Sequence, residues 1–283
     1  MPKPKIIVCI PARYGSTRFP GKVLAKDTGK FLIQHVYEQA RRAKLPDRVI
    51  IAADDKRIAD AAKSFGAECV MTSPDCPSGT DRIAEAIQLS AERCPLNADD
   101  IVVNLQADEP EIDPTNIDTV AQLLITQNSK LKTQNYCMAT LAADFETKEQ
   151  IADPNIVKVV VACSVERMAD NRKLKTQNSK LKTNCGIAIY FSRSVIPYDR
   201  EQGGIGPVKN YLRHLGIYSY RKDFLLKITK LPQTSLEKLE KLEQLRAVEN
   251  GFDILVARVK HACPGIDTPD QYAEFVKRYS HRG

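Results

Sequence analysis

Pro11-Ala-Arg-Tyr-Gly-Ser-Thr-Arg-Phe-Pro-Gly-Lys22 directly follows an apolar, β-like run at 5–10 and precedes a helical pattern. A loop at the carboxyl end of a first strand can turn several backbone N–H groups toward an anion. Gly15 and Gly21 permit the tight turns and close approach this needs. Arg13, Arg18 and Lys22 supply countercharge suited to a polyphosphate. The run matches neither G-x-G-x-x-G nor G-x-x-x-x-G-K-[ST], which argues against dinucleotide-binding and P-loop readings.

Working outward, β-like runs at 48–53, 68–71 and 101–105 alternate with helical patterns at 31–43, 56–65 and 80–92, where apolar residues recur every three or four positions. Such alternation predicts an α/β fold with a doubly wound, mostly parallel sheet, whose ligands collect beyond the carboxyl ends of the strands. The chain changes character further on. Runs at 136–142, 156–162, 186–191 and 216–220 are strand-like with few long helices between them, which predicts a smaller mixed-sheet lobe. Thr234-Ser-Leu-Glu237 reads as a capping box opening a helix that runs through Arg246. A single domain is expected over 1–283, with the first ligand held mainly by 1–125, a second lobe over 136–250, and a return to the core over 251–283.

Bulk properties exclude several classes. The 283 residues are 43% hydrophobic and 27% charged, enough for one sizeable core. No apolar stretch approaches the roughly 20 residues of a membrane span, and the apolar run after Met1 is too short for a signal peptide, so a cytoplasmic location without membrane insertion is expected. The eight cysteines contain no C-x-x-C pair and are expected as reduced thiols. Six lysines, Lys130, Lys132, Lys173, Lys175, Lys180 and Lys182, lie in or beside the exact duplication TQNSKLKT at 126–133 and 176–183, and removing them from the net +7 leaves +1. With no Trp and 6% aromatic residues, nucleic-acid binding is not expected. Both copies are polar and are expected as exposed loops or helix extensions.

The opening twelve residues resemble those of the CMP-Kdo synthetases, sugar-activating nucleotidyltransferases whose acceptor is 3-deoxy-manno-octulosonic acid (Kdo). The likeness continues, in order, through Pro77-Ser-Gly-Thr-Asp-Arg82, Gln106-Ala-Asp-Glu-Pro110, Asp153-Pro-Asn-Ile-Val-Lys-Val-Val160, Tyr190-Phe-Ser-Arg-Ser194, Tyr211-Leu-Arg-His-Leu-Gly-Ile-Tyr218, Leu242-Glu-Gln-Leu-Arg246 and Gly265-Ile-Asp-Thr-Pro269. Two positions depart from the family pattern: Ala107 stands where Gly is usual, and Cys76 where His is frequent.

The resemblance implies transfer of a cytidylyl group from CTP to Kdo for lipopolysaccharide biosynthesis, with Mg²⁺ as cofactor and a homodimer as the assembly. Other acidic nonulosonic or amino-Kdo-type acceptors, or a catalytically silent sugar-nucleotide sensor, are the alternatives. It assigns Arg13, Gly15, Ser16 and Lys22 to the triphosphate, Ser78, Gly79, Thr80 and Gln106 to the nucleoside, and Arg193, His214, Tyr218, Glu243 and Gln244 to the acidic sugar. Asp108 and Asp267 become metal ligands and, with Arg13 and Lys22, the catalytic set. The chemistry agrees: transfer to a hydroxyl needs charge stabilised on the α-phosphate and on departing pyrophosphate. Asp267 precedes Thr268-Pro269, an expected N-cap and first helical residue.

Overall fold

The computed structural model describes residues 3–93, 95–130, 136–162 and 185–281, with side chains left out at 126–130. In chain order the elements begin β1 (Ile6–Ala12), α1 (Leu32–Arg42), β2 (Arg48–Ala53), α2 (Lys56–Ser64), β3 (Glu68–Met71), α3 (Gly79–Leu89), β4 (Ile101–Asn104) and α4 (Pro114–Lys130). Next come β5 (Met138–Asp144), α5 (Lys148–Ala152), β6 (Lys158–Ala162), β7 (Cys185–Ser192) and β8 (Leu212–Arg221). The chain closes with α6 (Lys222–Ile228), α7 (Ser235–Glu240), α8 (Leu245–Glu249), β9 (Ile254–Val259) and α9 (Pro269–Ser280).

Two compact units result, one of Met1–Gln122, Ile217–Thr229 and Ala262–Gly283, the other of Leu123–Gly216 and Lys230–His261. In the first, β1 lies between β2 and β4 and pairs in parallel with both, and β3 extends the parallel set beyond β2. The carboxyl-terminal half of β8 then pairs antiparallel with β4, Tyr218 opposite Asn104. All seven residues of β1 are buried, as a parallel strand covered on both faces requires. Helix α1 turns Leu32, Ile33, Val36 and Ala40 inward, and Arg41 and Arg42 sit in its last turn, favourable to the helix dipole. Asp55 caps α2, Ser78 caps α3 and Thr268 caps α9, the last with Pro269 in the first turn as expected.

The second unit is mixed. β5 and β9 are parallel, β7 runs antiparallel to β9 and β6, and β6 meets the start of β8 at Lys158 opposite Arg213. Parallel pairing therefore dominates only over β1–β4, and a mostly parallel sheet is corrected to that extent. Phe145, Ile151 and Tyr211 form a local core here. The expected helix through Arg246 is also corrected: it breaks after Glu240, where Lys241 adopts φ 53°, ψ 45°, and resumes at Leu245. The main chain of 126–130 continues α4, so the first polar copy begins as a helix extension. The rest of it and the whole copy at 176–183 lie outside the described residues. Among the described residues no helix is long and apolar enough to cross a membrane.

Candidate active site

The loop that follows β1 is pinned at both ends. Tyr14 N–H donates to Asp54 Oδ1 at 2.9 Å, and the Arg57 guanidinium carbon lies 3.4 Å from the Tyr14 ring centre. Gly21 closes the turn by donating its N–H to Tyr14 O at 3.2 Å. It does so at φ +67°, where a Cβ would stand 3.3 Å from the Tyr14 ring, so both the left-handed backbone and the close ring call for glycine. Gly15 has open space around it, and Arg13 is exposed.

This closure delivers Lys22 to the two aspartates. Its Nζ donates to Asp108 Oδ2 at 2.7 Å, to Ile266 O at 2.8 Å and to Asp267 Oδ1 at 3.0 Å. Arg18 pairs with the other oxygen of Asp267 at 2.9 Å. A second tie holds the two carboxylate segments together: Ile266 N–H donates to Asp108 O at 2.8 Å. Behind it, Leu32, Ile266, Tyr272 and Phe275 form one buried cluster with Phe19 packed on it, so α9 and α1 fix Asp267 through the residue beside it. Burial works to raise the Asp267 carboxyl, but the hydrogen bonds and charges of Lys22 and Arg18 outweigh it and hold the group below the ordinary aspartate range.

The nucleoside set gathers at the start of α3. Ser78 Oγ accepts from Asp81 N–H at 3.2 Å and donates to Asp81 Oδ2 at 2.6 Å. A Cβ on Gly79 would lie 3.4 Å from Pro11 and 3.9 Å from Gln106 Oε1, so its bareness lets the helix start close to both. Gln106 Nε2 donates to Asn104 Oδ1 at 2.8 Å, and Asn104 Nδ2 reaches Thr80 Oγ1 at 3.4 Å. The cationic loop, the two aspartates and the head of α3 thus share one end of the parallel strands.

The residues assigned to the acidic sugar divide. Tyr218 belongs to the first unit, whereas Arg193, His214, Glu243 and Gln244 belong to the second. Arg193 Nε donates to Glu240 O at 2.7 Å and Nη1 to Pro154 O at 3.1 Å. Its N–H donates to Glu240 Oε2 at 2.9 Å. His214 lies edge-on to Phe191, ring centres 5.0 Å apart, with Nε2 3.1 Å from Thr140 Oγ1. Burial pushes its imidazole down to about 3, so the ring is neutral at ordinary pH. Glu243 and Gln244 lie in the turn before α8, not on a continuous helix, and Gln244 is buried with Nε2 lacking a partner among the described residues.

A family model described as cytidylyltransferase matches residues 7–254. The chain belongs to the cytidylyltransferase family. A 3-deoxy-manno-octulosonate cytidylyltransferase of Solibacter usitatus is 44% identical to it over 270 residues, 95% of this chain and 92% of the relative. An 8-amino-3,8-dideoxy-manno-octulosonate cytidylyltransferase of Shewanella frigidimarina is also 44% identical, over 94% of this chain and 95% of its own. Among solved structures, a CMP:2-keto-3-deoxy-manno-octonic acid synthetase complexed with CTP is similar, with a TM-score of 0.78 and 35% identity over 99% of this chain and 100% of that one. A 4-diphosphocytidyl-2C-methyl-D-erythritol synthase, 9% identical with a TM-score of 0.58, shares the fold alone.

Two residues of this cytidylyltransferase escaped the sequence reading. Glu240 and Lys158 brace Arg193, and Lys158 is fully buried, donating to Asp153 O, Ile156 O and Arg193 O at 2.9, 2.7 and 2.6 Å. The available signal was a lysine opening an otherwise apolar strand, Lys158-Val-Val-Val161. The departures are accommodated: Ala107 is buried, and Cys76 Sγ donates to Glu85 Oε2 at 2.9 Å. No group of three or more His, Cys, Asp or Glu side chains converges among the described residues. A metal at Asp108 and Asp267 would therefore combine two carboxylates with water and phosphate oxygens, an all-oxygen set that fits Mg²⁺.

Proposed function

We propose that the protein transfers CMP from CTP to Kdo, releasing pyrophosphate and supplying CMP-Kdo for lipopolysaccharide biosynthesis. The observation that carries the reading is Lys22 drawing Asp108 and Asp267 together at the mouth of the parallel strands, in a chain whose near-full-length relatives include a Kdo cytidylyltransferase. An acceptor hydroxyl oxygen forms a bond to the α-phosphorus of CTP as the bond to the β-phosphate oxygen breaks. The hydroxyl proton leaves to solvent, and no covalent enzyme intermediate is needed. Arg13, Lys22 and the N–H groups of Gly15 and Ser16 bind the triphosphate and disperse the charge that builds on pyrophosphate. Ser78, Gly79, Thr80 and Gln106 hold the nucleoside. Asp108 and Asp267 would hold Mg²⁺, which when bound would supply charge neutralisation to the phosphates. Arg193, His214, Tyr218, Glu243 and Gln244 take the acceptor, with His214 neutral and tied through Nε2 to Thr140 Oγ1. A cytoplasmic homodimer belongs to the same proposal, with sedimentation velocity as its measure.

A second reading, 8-amino-Kdo as acceptor, is favoured by one observation: the Shewanella relative is as similar as the Solibacter one. A pyrophosphate-release assay with CTP and a panel of acidic sugars decides between them. Kdo is expected to give a kcat/KM at least tenfold above 8-amino-Kdo. The reverse order would establish the second reading, and no release with any acceptor would sink both.

A further inference from the structure

Lys22 is assigned to the triphosphate, yet here its ammonium is fully engaged elsewhere. An ammonium has three protons, and those of Lys22 meet three acceptors, Asp108 Oδ2, Ile266 O and Asp267 Oδ1, at 2.7, 2.8 and 3.0 Å. None is left for a phosphate. The side chain is only 13% exposed, against 27% for Asp108 and 43% for Asp267. The nitrogen thus occupies the inner position between the two carboxylates and is not laid across them from outside. Arg18 reaches Asp267 alone, from a side chain that is 61% exposed.

From this geometry we propose that Lys22 is the resident cation of the Asp108–Asp267 pair. A divalent ion enters by displacing its ammonium, which is thereby released to the phosphates. The inference rests on the reading of those aspartates as the metal pair. Two considerations favour the exchange. Magnesium–oxygen distances are about 2.1 Å, so the same carboxylate oxygens cannot close on the ion while spaced around an ammonium. Two cations also cannot share one pair of acceptors without strong repulsion. The lysine stem is flexible and its ammonium is a point charge, so it can move from carboxylates to phosphate without rebuilding a directional fork. Metal entry and triphosphate binding then favour each other through one side chain, and by linkage the coupling is reciprocal. The ammonium has a further use: lying between two nearby carboxylates, and with Arg18 on Asp267, it offsets their mutual repulsion when no metal is bound.

The decisive measurement is Mn²⁺ affinity of the nucleotide-free protein, read by electron paramagnetic resonance, so that neither turnover nor metal chelated by CTP enters. Lys22→Met, which keeps the stem and removes the charge, is expected to bind Mn²⁺ at least tenfold more tightly than wild type. Arg18→Gln removes an equal charge from the same neighbourhood without vacating the inner position, and is expected to change affinity by less than about threefold. If Arg18→Gln tightened binding as much as Lys22→Met, net charge and not occupancy would be responsible, and the exchange would be overturned. Asp108→Asn and Asp267→Asn, each placed in the Lys22→Met background, are expected to abolish the gain. Should Mn²⁺ binding be insensitive to both, the metal-pair reading itself fails. Should binding require both aspartates but be no tighter in Lys22→Met, that reading stands and the exchange falls. A measurement on the unaltered site guards against misfolding of the methionine variant. The ¹⁵N-lysine ammonium signal of Lys22, assigned through Lys22→Arg, is expected to shift or broaden away as Mg²⁺ is added without nucleotide. An unchanged signal at saturating Mg²⁺ would refute displacement.

Discussion

At the scale of single residues, charge placement explains more than charge count. Asp267 is partly covered, which alone would raise its carboxyl, but Lys22 and Arg18 reverse the shift. A group whose folded value lies below its unfolded one stabilises the fold above the unfolded value, about 4 for aspartate, and loses that contribution as the pH falls further. Asp267→Asn should therefore cost stability at pH 6, by about 1 kcal/mol or less because the side chain is 43% exposed and screened. The gap from wild type should close as the pH drops below 4. Chemical denaturation across pH 3 to 7 measures it, and a gap that widened in acid would contradict the assignment of the shift. The same substitution, and Asp108→Asn, should each lower turnover by at least about a hundredfold, since each removes charge from a proposed metal ligand without changing volume. Near-normal turnover in either would remove that residue from the site.

Elements show why part of this molecule could be read from its letters and part could not. Strands at 48–53 and 68–71 occur as β2 and β3 with the expected bounds, because continuous apolar runs between helical patterns leave few alternatives. Helix α4 was missed although Asp113-Pro114 carries a start signal: Asp113 Oδ1 accepts from Thr115 N–H at 2.8 Å, with proline in the first turn. β9 was missed for another reason. Ile254-Leu-Val-Ala257 carries the same apolar signal as β2, but the sequence reading makes the stretch only a return to the core, and its partners β5 and β7 lie well back in the chain. The broken helix follows from local energetics, because the capping box was present, with Thr234 N–H donating to Glu237 Oε2 at 3.2 Å, yet Glu237 also pairs with buried Arg246 at 2.6 Å. Satisfying that buried pair fixes the geometry of the turn between α7 and α8, and exposed Lys241 takes the left-handed conformation it requires. Lys241→Gly should consequently raise stability by about 0.5 to 1 kcal/mol, measurable by urea denaturation. Lys158 is the opposite case. Its buried ammonium satisfies three main-chain carbonyls, so Lys158→Met should cost about 3 kcal/mol or more by leaving them unpaired, and a loss under 1 kcal/mol would mean that water replaces the ammonium.

For the whole molecule, the division into two units matters because the proposed nucleotide residues all fall in the first, while Arg193, His214, Glu243 and Gln244 fall in the second. The chain order made the first group legible, since a loop after the first strand, a capped helix and an aspartate after β4 each carry a local signature. The residues proposed for the acceptor have none. Arg193 is an arginine after a strand until the structure shows its main chain held by Glu240 and Lys158 and two guanidinium nitrogens held by Glu240 O and Pro154 O. Such bracing removes most of the side-chain freedom that binding would otherwise have to freeze. A guanidinium fixed in advance suits an anionic acceptor, whose carboxylate it can meet without reorganising. Arg193→Ala should therefore raise the KM for the acidic sugar by about 30-fold or more, the loss expected for a charged hydrogen-bonded contact, while the KM for CTP changes less than about threefold. Arg13→Ala should show the reverse pattern. Steady-state kinetics with each substrate varied in turn give the answer, and the melting temperature of Arg193→Ala separates a lost contact from a loosened unit. If both variants weakened both substrates equally in folded protein, the division of labour would be wrong, and Arg193 would be a brace of the second unit with no part in acceptor binding.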